Sequence, residues 1–126
     1  MDKADILVVE DDRDIRDSLL DYLSFIGFKA VAVTNGQEAL NFLRDNQNDL
    51  PALILLDYMM PVMNGMTFLN AMKMEKPVLN IPVILISAAT MDDASFPTNV
   101  VEFMRKPFNL KDLTKKAKKY IGGQAS

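Results

Sequence analysis

Charged and hydroxyl side chains follow four short apolar runs of the sequence, and their types suit phosphoryl chemistry. Glu10 and Asp11 come directly after the first run, and Asp57 follows the third. Ser87 follows the fourth run, and Lys106 comes after the fifth. A carboxylate can attack phosphorus, and an ammonium can offset the charge that develops on phosphoryl oxygens. These residue types predict a site in which Asp57 is the nucleophile, Lys106 holds phosphoryl oxygens and Ser87 donates a hydrogen bond to one of them.

The acids among these residues have the composition of a magnesium site. Three crowded carboxylates repel one another unless a cation lies between them, and hard oxygen ligands favour Mg²⁺ over zinc or copper. The chain has no cysteine and no histidine, which excludes disulfides, thiolate metal sites, cysteine nucleophiles and a histidine base. We therefore expect Mg²⁺ as the cofactor, close to Glu10, Asp11 and Asp57.

Five short strands that alternate with helices must position these residues. The strands are predicted over 6–9, 30–33, 53–56, 83–86 and 100–104. Three of them are continuous aliphatic runs, which are typical of parallel strands buried on both faces. The alternation predicts an α/β fold, a flavodoxin-like doubly wound five-stranded parallel sheet of order 2-1-3-4-5. In that order the first and third strands are neighbours, so their carboxyl ends bring the acids into one pocket.

The helices between the strands have recognisable starts. Asp12 is most simply the N-cap of the first helix, and Asn109 is the N-cap predicted for the last. Asn35-Gly36 and Asn64-Gly65 turn the chain into the second and third helices. The stretch 88–99 has few apolar residues and contains Pro97, which breaks helices. A short or irregular fourth helix is predicted there.

The 126 residues are 49% hydrophobic and 25% charged, which predicts one soluble domain over 1–126 with a core at about 5–121. No apolar run approaches the ~20 residues of a membrane span, and no signal peptide is recognised, so the sequence predicts a cytoplasmic protein without a membrane partner. The segment from Arg105 onward has a net charge of +6 in a chain of −3. Its lysines are either a solvated last helix or a partner-docking face. No nucleic-acid partner is expected, because the chain is acidic and has no DNA-binding motif.

Taken together, the strand-end motifs resemble the receiver domain of two-component response regulators over about 5–121. The matching segments are 6–12, 55–61 with 64–65, 86–88 and 103–108. The resemblance implies that Asp57 is the phospho-acceptor and that Asp11 is a direct ligand of Mg²⁺. It also implies that Glu10 binds the metal mostly through water and that the backbone carbonyl of Met59 completes the protein ligands.

The resemblance further assigns roles in switching. Ser87 would be the switch hydroxyl, Phe103 the switch aromatic and Lys106 the phosphate-binding lysine, with a cis bond before Pro107. The function implied is that of a phosphorelay signal receiver, which takes a phosphoryl group from a histidine kinase or a histidine phosphotransfer protein and changes a surface for a downstream partner. Such a protein is a signalling switch and not an enzyme, although it assists its own phosphorylation and dephosphorylation.

Three other functions remain open from the residues alone. A phosphorylation-independent interaction module could keep the fold, and the shortened stretch 88–99 leaves room for it. A small Mg²⁺ phosphatase that forms an aspartyl phosphate would need a second aspartate two positions from the acceptor on the first strand. An FMN carrier would need a Ser/Thr/Gly-rich phosphate loop, whereas an acidic loop without metal repels phosphate.

Overall fold

Five parallel strands form the predicted sheet. The computed structural model describes residues 3–58, 64–74, 80–88, 96–97 and 99–121. The strands are β1 (Ile6–Val9), β2 (Ala30–Val33), β3 (Leu53–Asp57), β4 (Val83–Ser87) and β5 (Val100–Arg105). Their order in the sheet is β2-β1-β3-β4-β5, and every neighbouring pair is parallel. The predicted fold class and strand order are confirmed.

The register of the sheet sets the ends of the central strands side by side. Val9 of β1 pairs with Leu56 of β3, Asp57 pairs with Ile86 of β4, and Ser87 pairs with Arg105 of β5. Every residue of β1, β3 and β4 is buried, as the continuous apolar runs predict. The residues that follow these strands therefore emerge along one edge of the sheet.

Within the described residues, four helices cover the two faces of the sheet: α1 (Arg13–Phe25), α2 (Gly36–Asp45), α3 (Gly65–Met72) and α4 (Leu110–Ile121). On one face α1 and α4 contribute apolar side chains, among them Leu23, Leu113 and Ala117, to one core cluster with the strands. On the other face α2 and α3 pack through side chains that include Leu43 and Phe68. None of the helices in the described part of the chain is long and apolar enough to cross a bilayer.

The helix starts follow the predicted caps. The Asp12 Oδ1 atom accepts a hydrogen bond from the Ile15 amide at 3.1 Å, and Asn109 Oδ1 accepts from the Lys111 amide at 2.7 Å. Each bond satisfies an amide that the first turn of a helix leaves without a partner. Asp12 is therefore confirmed as a cap and lies outside the acidic cluster described below.

The stretch between β4 and β5 is described only in part. The predicted short or irregular fourth helix falls mostly on 89–95 and 98, which lie outside the described residues. Phe96, Pro97 and Asn99 are described, and these three are not helical. The pairing of β4 with β5 shifts register between Val83 and Ile84, so β5 carries an irregularity where it begins.

Candidate metal and phosphoryl site

Three carboxylates from two strand ends meet at the edge of the sheet. One carboxylate oxygen from each of Glu10, Asp11 and Asp57 lies within 4.8 Å of the others. Glu10 and Asp57 are only 2% and 4% exposed, whereas Asp11 is open to solvent. The structure therefore brings together the three acids that the sequence places at neighbouring strand ends. Their donor set, carboxylate oxygen without nitrogen or sulfur, fits Mg²⁺ or a similar hard cation.

Backbone hydrogen bonds continue the sheet past the strand ends and position these side chains. The Glu10 amide donates to the carbonyl of Val33 at 3.1 Å, and the Tyr58 amide donates to the carbonyl of Ile86 at 2.9 Å. The Lys106 amide donates to the carbonyl of Ser87 at 2.8 Å. The residues that flank the pocket are thus held by the same ladder that builds the sheet.

Lys106 lies between two of the acids. Its Nζ atom is 3.2 Å from Glu10 Oε1 and 3.4 Å from Asp57 Oδ2. Burial disfavours the charged ammonium and is the largest single influence on it, but the charges of Asp57 and Glu10 together outweigh it and raise the pKa of Lys106. The lysine therefore stays protonated and supplies a positive charge beside the predicted phospho-acceptor.

The loop after β1 is held by contacts that the sequence did not reveal. The guanidinium Nη1 of Arg16 donates to the carbonyl of Glu10 at 3.2 Å and to that of Asp11 at 3.4 Å. The Asp12 amide donates to Glu10 Oε2 at 3.1 Å. The position of Arg16 in the sequence was the one hint of these contacts. It lies one helical turn after the cap Asp12, so its side chain can reach back over the loop. These bonds fix the direction in which Glu10 and Asp11 face the pocket.

Two further predicted residues lie on the neighbouring strands. Ser87 ends β4 and is fully buried, next to the start of the loop that carries Lys106. Phe103 is half-buried on β5, and its ring centroid lies 5.5 Å from that of Phe96. Phe96 in turn meets the ring of Tyr58 edge-on at 5.7 Å. Sequence reasoning missed Phe96, because it falls in a stretch without hydrophobic periodicity.

The loop after β3 includes Met59, whose predicted carbonyl ligand lies outside the described residues. Its far end is tied to its start, since the Gly65 amide donates to the Tyr58 carbonyl at 2.9 Å. A Cβ atom at Gly65 would lie 2.9 Å from the Tyr58 Cα atom, so this close approach requires glycine. The bond between Lys106 and Pro107 is cis, as the resemblance implies.

The arrangement has the parts of a phosphoryl-transfer site. A buried carboxylate can act as the nucleophile, a lysine ammonium lies beside it, and two further acids can hold a divalent cation. No ring nitrogen or thiol contributes, because the chain contains neither histidine nor cysteine.

Comparison with known proteins gives response regulators among the relatives of this chain. The response regulator SaeR of Staphylococcus aureus (strain USA300) is 32% identical over 111 residues, covering 86% of this chain and 46% of that protein. The chain thus spans about half the length of the curated relatives that it matches.

Solved structures share the fold over nearly the whole chain. A CheY-like response regulator receiver domain from Methanospirillum hungatei JF-1 has 27% identity and a TM-score of 0.81, with 93% of each chain covered. The receiver domain of a sensor histidine kinase from Pseudomonas aeruginosa PAO1, whose structure holds a magnesium ion in its active-site cleft, has 22% identity and a TM-score of 0.78. That comparison covers 97% of this chain and all of the other.

The sequence model of one family, the response regulator receiver domain, matches residues 6–118. This match includes every strand and all but the last residues of α4. The chain therefore belongs to the response regulator receiver domain family.

Proposed function

We propose that Asp57 is the phospho-acceptor of this phosphorelay signal receiver and that a phosphohistidine is the donor. The main support is the position of Asp57, which is buried beside Glu10 and Asp11 and paired with Lys106. The family match and the response regulator relatives are those of a signalling switch, and they do not favour a phosphorylation-independent module.

In the proposed transfer a carboxylate oxygen of Asp57 attacks the phosphorus of the donor. An O–P bond forms while the P–N bond to the imidazole breaks, and the imidazole nitrogen takes up a proton as it leaves. Water later attacks the acyl phosphate, which restores the carboxylate and releases inorganic phosphate. The receiver thereby assists both its own phosphorylation and its own dephosphorylation.

The residues around Asp57 have different proposed roles in stabilising the charge of the phosphoryl group. Asp11 would bind Mg²⁺ directly together with Asp57 and the Met59 carbonyl, and Glu10 would bind it mostly through water. When bound, the ion supplies positive charge that offsets the charge on the phosphoryl oxygens. The Lys106 ammonium, already between Glu10 and Asp57, would hold a phosphoryl oxygen from the other side.

Phosphorylation would then change the surface around β5. The acyl phosphate adds charge and three acceptor oxygens, and the Ser87 hydroxyl would donate to one of them. Phe103 would turn inward as Ser87 moves, which shifts the balance between two conformations of the surface. The half-buried position of Phe103 on β5 supports this role.

A histidine kinase or a histidine phosphotransfer protein is the proposed donor, and a downstream partner would read the changed surface. The Pseudomonas aeruginosa relative is itself part of a sensor histidine kinase, which supports this class of partner. We further propose that residues 1–126 form one receiver domain that works in the cytoplasm, where such donors act.

The acceptor can be tested with acetyl phosphate and Mg²⁺ on a phosphate-affinity gel. The wild-type chain should give a retarded band, and Asp57→Asn should give none. Asp12→Asn is the matched control, because Asp12 lies beside the cluster and asparagine keeps the helix cap. A retarded band of undiminished intensity in Asp57→Asn would exclude Asp57 as the acceptor.

A further inference from the structure

Two exposed rows of charge on α1 and α4 have no partners within the described chain. The acidic row consists of Asp14 and Asp21 on α1, and the basic row consists of Lys111, Lys115 and Lys118 on α4. All five residues are exposed. Among the described residues none of them takes part in an ion pair. Both rows therefore present their charge to solvent.

Other charges on the same two helices are paired within the molecule. Asp17 lies 3.8 Å from Arg13 on α1. On α4, Lys116 is 2.7 Å from Asp112, and Lys119 also has a carboxylate partner in the chain. The unpaired charges are thus not spread over both helices but collected on one side of each.

The two rows lie on either side of the contact between α1 and α4. The hydroxyl of Tyr22 on α1 is 2.6 Å from Thr114 Oγ1 on α4, so a hydrogen bond joins the helices. A groove of about 350 Å³ runs beside this bond, lined by Tyr22, Thr114 and the basic row. On α1, Asp21 immediately precedes Tyr22 and Asp14 lines a neighbouring pocket together with Leu110 of α4, so the acidic row belongs to the α1 side of this contact and the basic row to the α4 side.

The rows also match in length. Asp14 and Asp21 are seven positions apart, and so are Lys111 and Lys118. Seven residues of an α-helix span about 10.5 Å. The two aspartates can therefore face the two lysines of an opposing helix with matching spacing, whether the two helices are parallel or antiparallel.

We propose that this α1–α4 face binds a second copy of the chain. A two-fold axis through the groove sets the acidic row of each copy against the basic row of the other, because such an interface uses the same patch twice. Charge complementarity is then satisfied on both sides at once. The acidic row distinguishes this occupant from a polyanion, which would use the lysines alone.

The expected association is weak and depends on salt. Exposed ion pairs each contribute little, so we expect a dimer only at protein concentrations of ~100 µM or above. Charge screening shortens from about 30 Å at 0.01 M salt to about 3 Å at 1 M. Raising the salt across this range should weaken the dimer at least tenfold.

Sedimentation velocity of the full chain with two charge-reversal variants tests the interface. The acid-reversed variant carries Asp14→Lys and Asp21→Lys, and the base-reversed variant carries Lys111→Glu and Lys118→Glu. Each variant alone opposes like charges and should sediment as a monomer. An equimolar mixture should recover the dimer, because lysines on α1 of one variant meet glutamates on α4 of the other.

A control separates this pairing from general attraction between oppositely charged proteins. Asp45→Lys with Asp49→Lys makes the same charge change at exposed positions away from both rows. This control should dimerise alone like the wild type, and mixing it with the base-reversed variant should not recover a wild-type amount of dimer. Circular dichroism establishes that each variant is folded before it is compared.

Three results would overturn the proposal. The first is a wild-type chain that stays monomeric up to 1 mM at low salt. The second is a mixture of the two variants that remains monomeric although both are folded. The third is an acid-reversed variant that still dimerises while the base-reversed variant does not, which would show that the lysines meet acids outside the acidic row.

Discussion

Two regions of this receiver domain pair a lysine with carboxylates, and they differ in burial. In the pocket Lys106 lies between Glu10 and Asp57, both of which are nearly inaccessible to solvent. On the outer side of β5, Glu102 accepts a hydrogen bond from Lys119 Nζ at 3.2 Å and one from the Tyr120 hydroxyl at 2.6 Å. We refer to these last three residues as the surface network. The Lys119 side chain is 64% exposed, against 22% for Lys106.

The same residue types are therefore shielded from water in the pocket and exposed to it in the surface network. In the pocket little water screens the charges, so Glu10 and Asp57 raise the pKa of Lys106 even though burial opposes its charge. In the surface network the Tyr120 hydroxyl is the main cause that lowers the pKa of Glu102, against the effect of burial, with a smaller effect from Lys119. Buried pairs are costly to break, whereas exposed pairs contribute little. The difference favours the pocket as the place of the proposed chemistry and leaves only minor stabilisation to the surface network.

Removing the lysine from each region tests this contrast most strongly. Lys106→Met removes a positive charge from beside the buried Glu10 and Asp57, so the free energy of unfolding in EDTA should fall by about 2 kcal/mol, less than for a fully buried pair because Lys106 is 22% exposed. Lys119→Met should leave it unchanged within error, because water already screens that pair. Urea unfolding followed by circular dichroism measures both variants, and equal losses would remove the distinction between the regions.

Removing one acid from the pocket and one from the exposed face of α4 should separate metal binding from surface charge. Asp11→Ala deletes the proposed direct ligand, and Mg²⁺ affinity measured by calorimetric titration should fall about tenfold or more, which corresponds to about 1.4 kcal/mol. Asp112→Ala, which removes the partner of Lys116 on α4, is the control and should bind Mg²⁺ like the wild type. An unchanged titration in Asp11→Ala would take Asp11 out of the metal site.

The smallest effect concerns the pH dependence of the surface network. Because the pKa of Glu102 is lowered in the folded state, its contribution is complete above the unfolded value of about 4.3 and is lost as pH falls through the folded value. Tyr120→Phe should cost about 0.5–1 kcal/mol of unfolding free energy at pH 7. The difference from wild type should shrink toward pH 3, and a difference that grew on acidification would contradict this assignment.

The sheet could be predicted from the sequence because its strands have unambiguous patterns. The runs at 6–9, 53–56 and 83–86 are continuous and aliphatic, and burial on both faces demands that composition. Alternation with helices and right-handed crossovers leave few arrangements of the strands, and likeness to flavodoxin-like folds selected the order 2-1-3-4-5 among them. The meeting of Glu10, Asp11 and Asp57 then required only that parallel strands end at the same edge.

The contacts that complete the site could not be predicted in the same way. Arg16 and Lys106 have long side chains that can reach several acceptors, and a hydrophobic pattern does not tell which one they choose. Phe96 belongs to a stretch whose sequence has no helix or strand period. Its position between Tyr58 and Phe103 depends on the tertiary fold of that stretch alone.

The ion pair between Lys106 and Glu10 joins the first strand of the domain to the loop after the last. As the chain leaves the ribosome, the acids of the pocket emerge well before their counter-charge. Until Lys106 is in place the carboxylates of the pocket lack its positive charge, which arrives with β5 and the loop after it. The pocket therefore acquires this charge balance only once β5 and the loop after it have folded, so the proposed phosphoryl transfer requires the complete sheet.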